Sequence, residues 1–144
     1  MDEAVEQLDV LLKRTVDMQL MSDVPLGVQL SGGVDSSIVV ALMESLRRER
    51  SDAARVKSFS VGFDIPEFSE LGYARKVADR YGTEHHEITV GFKDFAEELP
   101  LLAWIYDEPM GEPPAIPTYF MCREAKKHVS VMLCGEGADE QFGG

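Results

Sequence analysis

The sequence predicts an α/β fold of three layers, a parallel sheet between two layers of helices, and three observations carry that expectation. Short β-rich runs alternate with longer stretches of helical periodicity, a pattern that calls for crossover helices and therefore parallel strand pairing. An apolar fraction of 44% in 144 residues is enough for one packed core. Two glycine-rich, acid-bearing strings each directly follow a β-rich run, where open parallel sheets place their ligand loops.

From Asp2 to about Met21, Val5, Leu8, Leu12, Val16 and Leu20 recur at helical spacing behind an acidic first turn. Pro25 and Gly27 break that helix, and Val28 to Leu30 form a strand leading into "SGGVDSS". A helix from Ser36 runs to a charged end at Arg47, Arg48 and Arg50. "KSFSVGF", Lys57 to Phe63, reads as a buried strand. Tyr73, Val77 and Tyr81 make the next helical stripe, closed by Gly82 at a C-cap position. "EHHEITV" is a third strand, and Phe92 to Tyr106 a helix interrupted by Pro100. The stretch "DEPMGEPPAIP" is a loop, followed by a helix near Thr118 to Lys127 and a strand at Val129 to Leu133. No internal repeat or low-complexity tract occurs, and residues 1–144 read as one unit that stops at Gly144, directly after a motif, as a truncated chain would.

A formal charge of −12, with lysines and arginines scattered among acids, argues against nucleic acid as a partner. The same charge means that any phosphate ligand needs local neutralisation, which a divalent metal supplies. No apolar run approaches the roughly 20 residues that span a bilayer, so no membrane association is expected. Cys122 and Cys134 lack zinc-type spacing and are read as free thiols of a cytoplasmic protein.

Ser31, Gly32, Gly33, Val34, Asp35, Ser36 and Ser37 stand at a strand-to-helix junction. Glycines there let the backbone approach an anion, the free amides of the helix start point at it, and the serine hydroxyls add donors. The string lacks the lysine of the G-x-x-x-x-G-K-[ST] loop, so another charge must meet the phosphate. Asp35 suits a magnesium ligand. A second string, Cys134, Gly135, Glu136, Gly137, Ala138, Asp139 and Glu140, followed by Phe142, Gly143 and Gly144, sits beyond the last strand, and Asp139 is placed to meet Asp35 across one magnesium.

"MSDVPLGVQLSGGVDSS", "KSFSVGF", "GTEHHEI", "DEP", "AIPTYF" and "GEGADEQFGG" fall in the order shown by the synthetase domain of glutamine-hydrolysing asparagine synthases, and the chain resembles that family from roughly Met18 to Gly144. The resemblance implies an adenine-nucleotide α-hydrolase-like (PP-loop) fold. It implies ATP-dependent activation of aspartate as β-aspartyl-AMP with pyrophosphate release, then amination by ammonia to asparagine. Ser31, Gly32, Gly33, Asp35, Ser36 and Ser37 match the pyrophosphate loop, Val61 the residue that holds adenine, and Gln29 or Leu30 the main chain that flanks the nucleotide. Cys134 and Gly135 match a Ser-Gly pair at the nucleotide, with Cys in place of the usual Ser. Glu136 matches an acid needed to form the adenylate, and Asp35 and Asp139 the magnesium ligands, which makes these three the catalytic candidates.

The implied ligands are ATP, Mg2+, aspartate and ammonia, the last drawn from glutamine by a glutaminase domain outside this chain. A catalytic lysine of the family lies beyond the second motif and is also outside it. Homodimer formation is left open. Two other readings keep the same motifs: a β-lactam synthetase-like ligase with a different acceptor pocket, and a nucleotide-binding fragment without turnover. His85 and His86 are adjacent on a strand, point to opposite faces and are assigned packing or surface roles, with His128 the one further histidine. Trp104, Tyr106 and Phe120 are expected in the core. Asp107 and Glu108, beside Pro109, either line the acceptor pocket or end a helix.

Overall fold

The chain is described by a computed structural model over residues 2–65, 67, 69–107 and 114–142. Its elements in chain order are α1 (Asp2–Gln19), β1 (Leu26–Gln29), α2 (Val34–Glu49), β2 (Lys57–Phe63), α3 (Leu71–Tyr81), β3 (Glu84–Val90), α4 (Phe92–Tyr106), α5 (Ala115–Ala125), β4 (Val131–Leu133) and α6 (Ala138–Phe142). The four strands form one parallel sheet in the order β3-β2-β1-β4. The α/β class and the parallel sheet are those expected. Because β1 lies between β2 and β4, the chain steps outward from β1 to β3 and then returns to the other side of β1, so the strand order reverses between β1 and β4.

Strand alternation sorts side chains onto two faces. Register pairs Val28 with Ser58 and Gln29 with Phe59, so Val28 and Phe59 face opposite layers. On the first face Val28 and Leu30 pack with Val16 of α1, Val40, Met43 and Leu46 of α2, and Ala74 and Ala78 of α3. On the second face Phe59 packs with Met121 and Ala125 of α5, while Val90 packs with Leu102 of α4 and with Ile116 and Phe120 of α5. Helices therefore cover both sides of the sheet. Gly27 makes room for this second layer: a Cβ there would lie 2.8 Å from Phe59 Cε2.

Two buried polar groups join elements across the first face. Glu44 of α2, 1% exposed, accepts from Arg47 Nη2 at 2.8 Å and from the Val56 amide at 3.3 Å, fixing the approach to β2. The fully buried Ser58 hydroxyl lies 2.7 Å from Thr83 Oγ1 and 2.8 Å from His85 Nδ1. Burial pushes the His85 imidazole below its ordinary pKa, against the opposing pull of Glu87. Ser58→Ala leaves both partners of that hydroxyl short of a bond, so the expected cost is about 1–2 kcal/mol, read as a lower urea midpoint.

Besides shifts of a few residues at the ends of β1, α2 and β4, and a start of α5 at Ala115 inside the stretch read as a loop, three details differ from the sequence expectation. Helix α4 continues through Pro100; Ala96, whose carbonyl loses its partner there, is exposed and can turn to water. Residues 138–142 form the short α6, for which the sequence reading assigns no element. Phe120 is in the core at 5% exposure, but Trp104 is 79% and Tyr106 41% exposed. Within α4, Leu102 alone is buried, and Trp104 lies about 200° around the helix from it, on the side away from the sheet.

Candidate active site

β1 ends at Gln29, and α2 begins at Val34 after the loop Ser31–Gly33. Gly32 has φ +87°, and a Cβ there would come within 2.6 Å of Tyr73 C and Ala74 N, so the loop lies directly on the first turn of α3. Inside the loop the serines hold one another. The Ser31 and Ser36 hydroxyls are 2.9 Å apart, the Ser31 amide donates to Ser36 Oγ, the Gly33 amide donates to Ser31 Oγ, and Ser37 Oγ donates to the Gly33 carbonyl at 2.6 Å. Gly33 is the N-cap of α2 and brings no side chain to it. The amides of the first turn are thus left without a capping side chain, the arrangement that receives anions at helix starts.

Across the point where strand order reverses, β4 ends at Leu133 and the second string follows. Gly135 sits against the first loop: a Cβ on it would lie 2.8 Å from Ser36 N and 2.9 Å from Asp35 C. Gly137 then turns at φ +90° into α6, which carries Asp139 and Glu140 in its first turn. The two strings enclose a cavity of about 250 Å³ lined by Gln29, Ser31, Gly33, Asp35 and Ser36 on one side and by Gly135, Glu136, Asp139 and Glu140 on the other. Four of its lining residues are carboxylates and none is a lysine, arginine or histidine. A polyphosphate cannot enter such a cavity bare, and carboxylate oxygens beside phosphate oxygens are the donor set that suits Mg2+.

A second cavity of about 370 Å³ adjoins the first, sharing Gln29, Ser31 and Glu136. Its walls are more apolar, with Leu30, Val61, Phe63, Ala74, Pro117 and Met121. The Ser60 hydroxyl donates to the Leu30 carbonyl, which fixes the floor between the two cavities.

Of the sequence candidates, Gln29, Ser31, Gly33, Asp35, Ser36, Gly135, Glu136 and Asp139 line the polar cavity, and Leu30 and Val61 the apolar one. Gly32 and Ser37 line neither; they shape the loop from behind. Cys134 is an exposed free thiol outside both linings, as is Cys122. Asp107 is exposed, with φ 56°, and ends α4 without lining either cavity. Glu108, Pro109, Gly143 and Gly144 lie outside the described residues. Ser60, Glu70 and Thr118 line the apolar cavity unannounced. Of these, only Ser60 left a readable sign, a small polar residue inside an otherwise buried strand.

The sequence model described as asparagine synthase matches residues 7–144. The chain is similar to asparagine synthetase [glutamine-hydrolyzing] 1 of Bacillus subtilis, 41% identical over 99% of this chain and 22% of that protein. It is also similar to a putative asparagine synthetase [glutamine-hydrolyzing] 2 of Methanocaldococcus jannaschii, 41% identical over 97% of this chain and 26% of that protein. The chain thus spans about a quarter of the length of these curated relatives. In fold it is similar to an NH3-dependent NAD synthetase from Campylobacter jejuni, with TM-score 0.56 and 15% identity over 98% of this chain and 58% of that one.

Proposed function

The chain belongs to the asparagine synthase family, and from that premise we propose that residues 1–144 are the N-terminal, ATP-binding part of its synthetase domain, acting in an amide-forming ligase that converts aspartate to asparagine. The observation that carries this reading is the meeting of two motif loops at the reversal of strand order, around a carboxylate-lined cavity that opens into an apolar one. In this proposal the β- and γ-phosphates of ATP rest on Ser31, Gly33, Ser36 and the amides that start α2, while adenine lies against Val61 beside the Gln29 and Leu30 main chain.

Asp35 and Asp139 would hold Mg2+, which when bound supplies the positive charge that this acidic cavity lacks. Attack of the aspartate side-chain carboxylate oxygen on the α-phosphorus forms the new P–O bond as the bond to pyrophosphate breaks. Ammonia then attacks the activated acyl carbon and AMP leaves. Because pyrophosphate departs, stabilising groups belong around the outer two phosphates, where the loop and the helix start converge. Glu136, shared by both cavities, stands where the α-phosphate and the incoming carboxylate would meet. Gly135 contributes by closeness, since its missing side chain lets the two loops touch. Ammonia would come from a glutaminase domain elsewhere in the enzyme.

Pyrophosphate release tests the proposal. With ATP and Mg2+, release is expected to require aspartate, and asparagine to form only with added ammonium. Tight ATP binding without aspartate-dependent release would overturn adenylation by these residues, and release driven instead by a different carboxylic acid would reassign the acceptor.

A further inference from the structure

At the opposite edge of the sheet from the two motif loops, three side chains with metal-ligating atoms converge. Glu84 and His86 lie two apart on β3 and therefore share a face, and Glu84 pairs in register with Lys57 at the start of β2, which places both where the parallel strands begin. His128 follows the end of α5 and precedes β4, so it reaches from the helical layer the same end of the sheet, where the strands begin. One ligand atom from each of the three lies within 4.8 Å of the other two. Glu84 Oε1 and His86 Nε2 are already 3.2 Å apart, and the two imidazole centroids are separated by 4.2 Å.

We propose that Glu84, His86 and His128 form a binding site for a divalent transition cation of the zinc class, tying the end of α5 to the outer strand β3. Two imidazoles and one carboxylate select borderline cations such as Zn2+ or Co2+ over Mg2+, which prefers oxygen alone. A tetrahedral ion with bonds of about 2.0–2.1 Å needs ligand atoms roughly 3.3 Å apart. The Glu84–His86 edge meets that spacing as it stands, and His128 has at most about 1.5 Å to travel. Its position in a half-buried turn beyond the helix gives it that freedom.

The support behind the ligands is rigid. The buried Phe59 ring stacks on His86 at 4.9 Å with 12° between planes, and its centroid is 6.0 Å from that of His128. Phe59 occupies that place because Gly27 beneath it has no side chain. Glu124 Oε1, 3.6 Å from His128 Nε2, is available to orient that ring or to complete the coordination. Lys57 Nζ, 3.9 Å from Glu84 Oε1, and Lys127 Nζ, 2.5 Å from Glu124 Oε2, are cations beside the cluster, and their long stems let them withdraw. His85, on the other face of the strand, takes no part and is held by Ser58.

The chemistry makes a structural prediction distinct from ATP binding. Co2+ titrated into the tag-free chain is expected to bind at one equivalent with visible absorption bands from nitrogen ligands, and to raise the melting temperature. His128→Gln and Glu84→Gln, both at incompletely buried positions, are expected to weaken binding more than about tenfold and to abolish the thermal shift while circular dichroism stays native. Asp35→Asn should leave the titration unchanged. The absence of saturable Co2+ binding overturns the proposal, as does binding that survives both Gln substitutions or that Asp35→Asn removes.

Discussion

Asp35→Ala and Asp139→Ala are each expected to weaken magnesium-dependent ATP binding by about a hundredfold or more, beyond the cost usually seen when only a supporting residue of a metal site is lost. The two acids come from opposite sides of one small cavity whose other charged residues are Glu136 and Glu140. If magnesium links the protein to the phosphates, either deletion removes half of the protein's hold on the ion. The sign of the effect without metal separates this account from simple disruption. In the presence of EDTA, removing one of four carboxylates reduces repulsion of a bare polyphosphate, so the residual weak affinity of each variant should equal or exceed that of the parent. Calorimetric titration with and without Mg2+ measures both. Magnesium-dependent affinity unchanged in both variants would eliminate the shared-ion arrangement. Neither substitution threatens the core, because Asp139 is exposed and Asp35 sits at the rim of the helix start.

Gly32→Ala is expected to lower folding stability by about 3 kcal/mol, combining a left-handed backbone with steric overlap. Its φ of +87° disfavours any side chain, and the added carbon would meet the backbone of Tyr73 and Ala74 at 2.6 Å. Backbone at the start of a packed helix cannot rotate aside as a side-chain tip does, so either α3 shifts or the serine loop does. Gly82→Ala isolates the first contribution. That glycine caps α3 at φ +73° with nothing within 4 Å, and its substitution should cost only about 1 kcal/mol. Urea midpoints of the two variants give the comparison, and equal losses would show that the loop does not press on α3.

Legibility in the sequence followed the strength of local periodicity. β2 and β3 occupy the residues read for them, because "KSFSVGF" and "EHHEITV" are compact runs between breakers, and Gly82 caps α3 as its position announced. The two motif strings were visible as strings, and their approach to one cavity follows from strand order, which no local pattern encodes. α6 escaped notice because five residues after two glycines hold too little periodicity to be told from a turn. Pro100 reads as a break in the sequence, although an exposed helix tolerates the lost bond where water can replace it. The apolar look of Trp104 misled in the other direction, since identity alone does not say which side of α4 meets the sheet. The Glu84, His86 and His128 cluster was hidden by sequence distance: the adjacent pair His85 and His86 drew attention, while the pairing that matters skips one residue and reaches across to a helix end.

The position of β4 beside β1 also governs when the cavity can exist. Their register joins Leu26 to Val131, segments roughly a hundred residues apart, whereas β2 and β3 pair through a single short crossover. Closing so long a loop is entropically late, so β1, β2 and β3 with their helices are expected to assemble first and leave one edge of β1 open. During synthesis that edge stays unpaired until β4 itself has emerged, a period in which it invites pairing with another molecule. Docking of β4 then ends the hazard and brings the two motif loops together in one event, so nucleotide binding at the proposed site would report that β4 has docked.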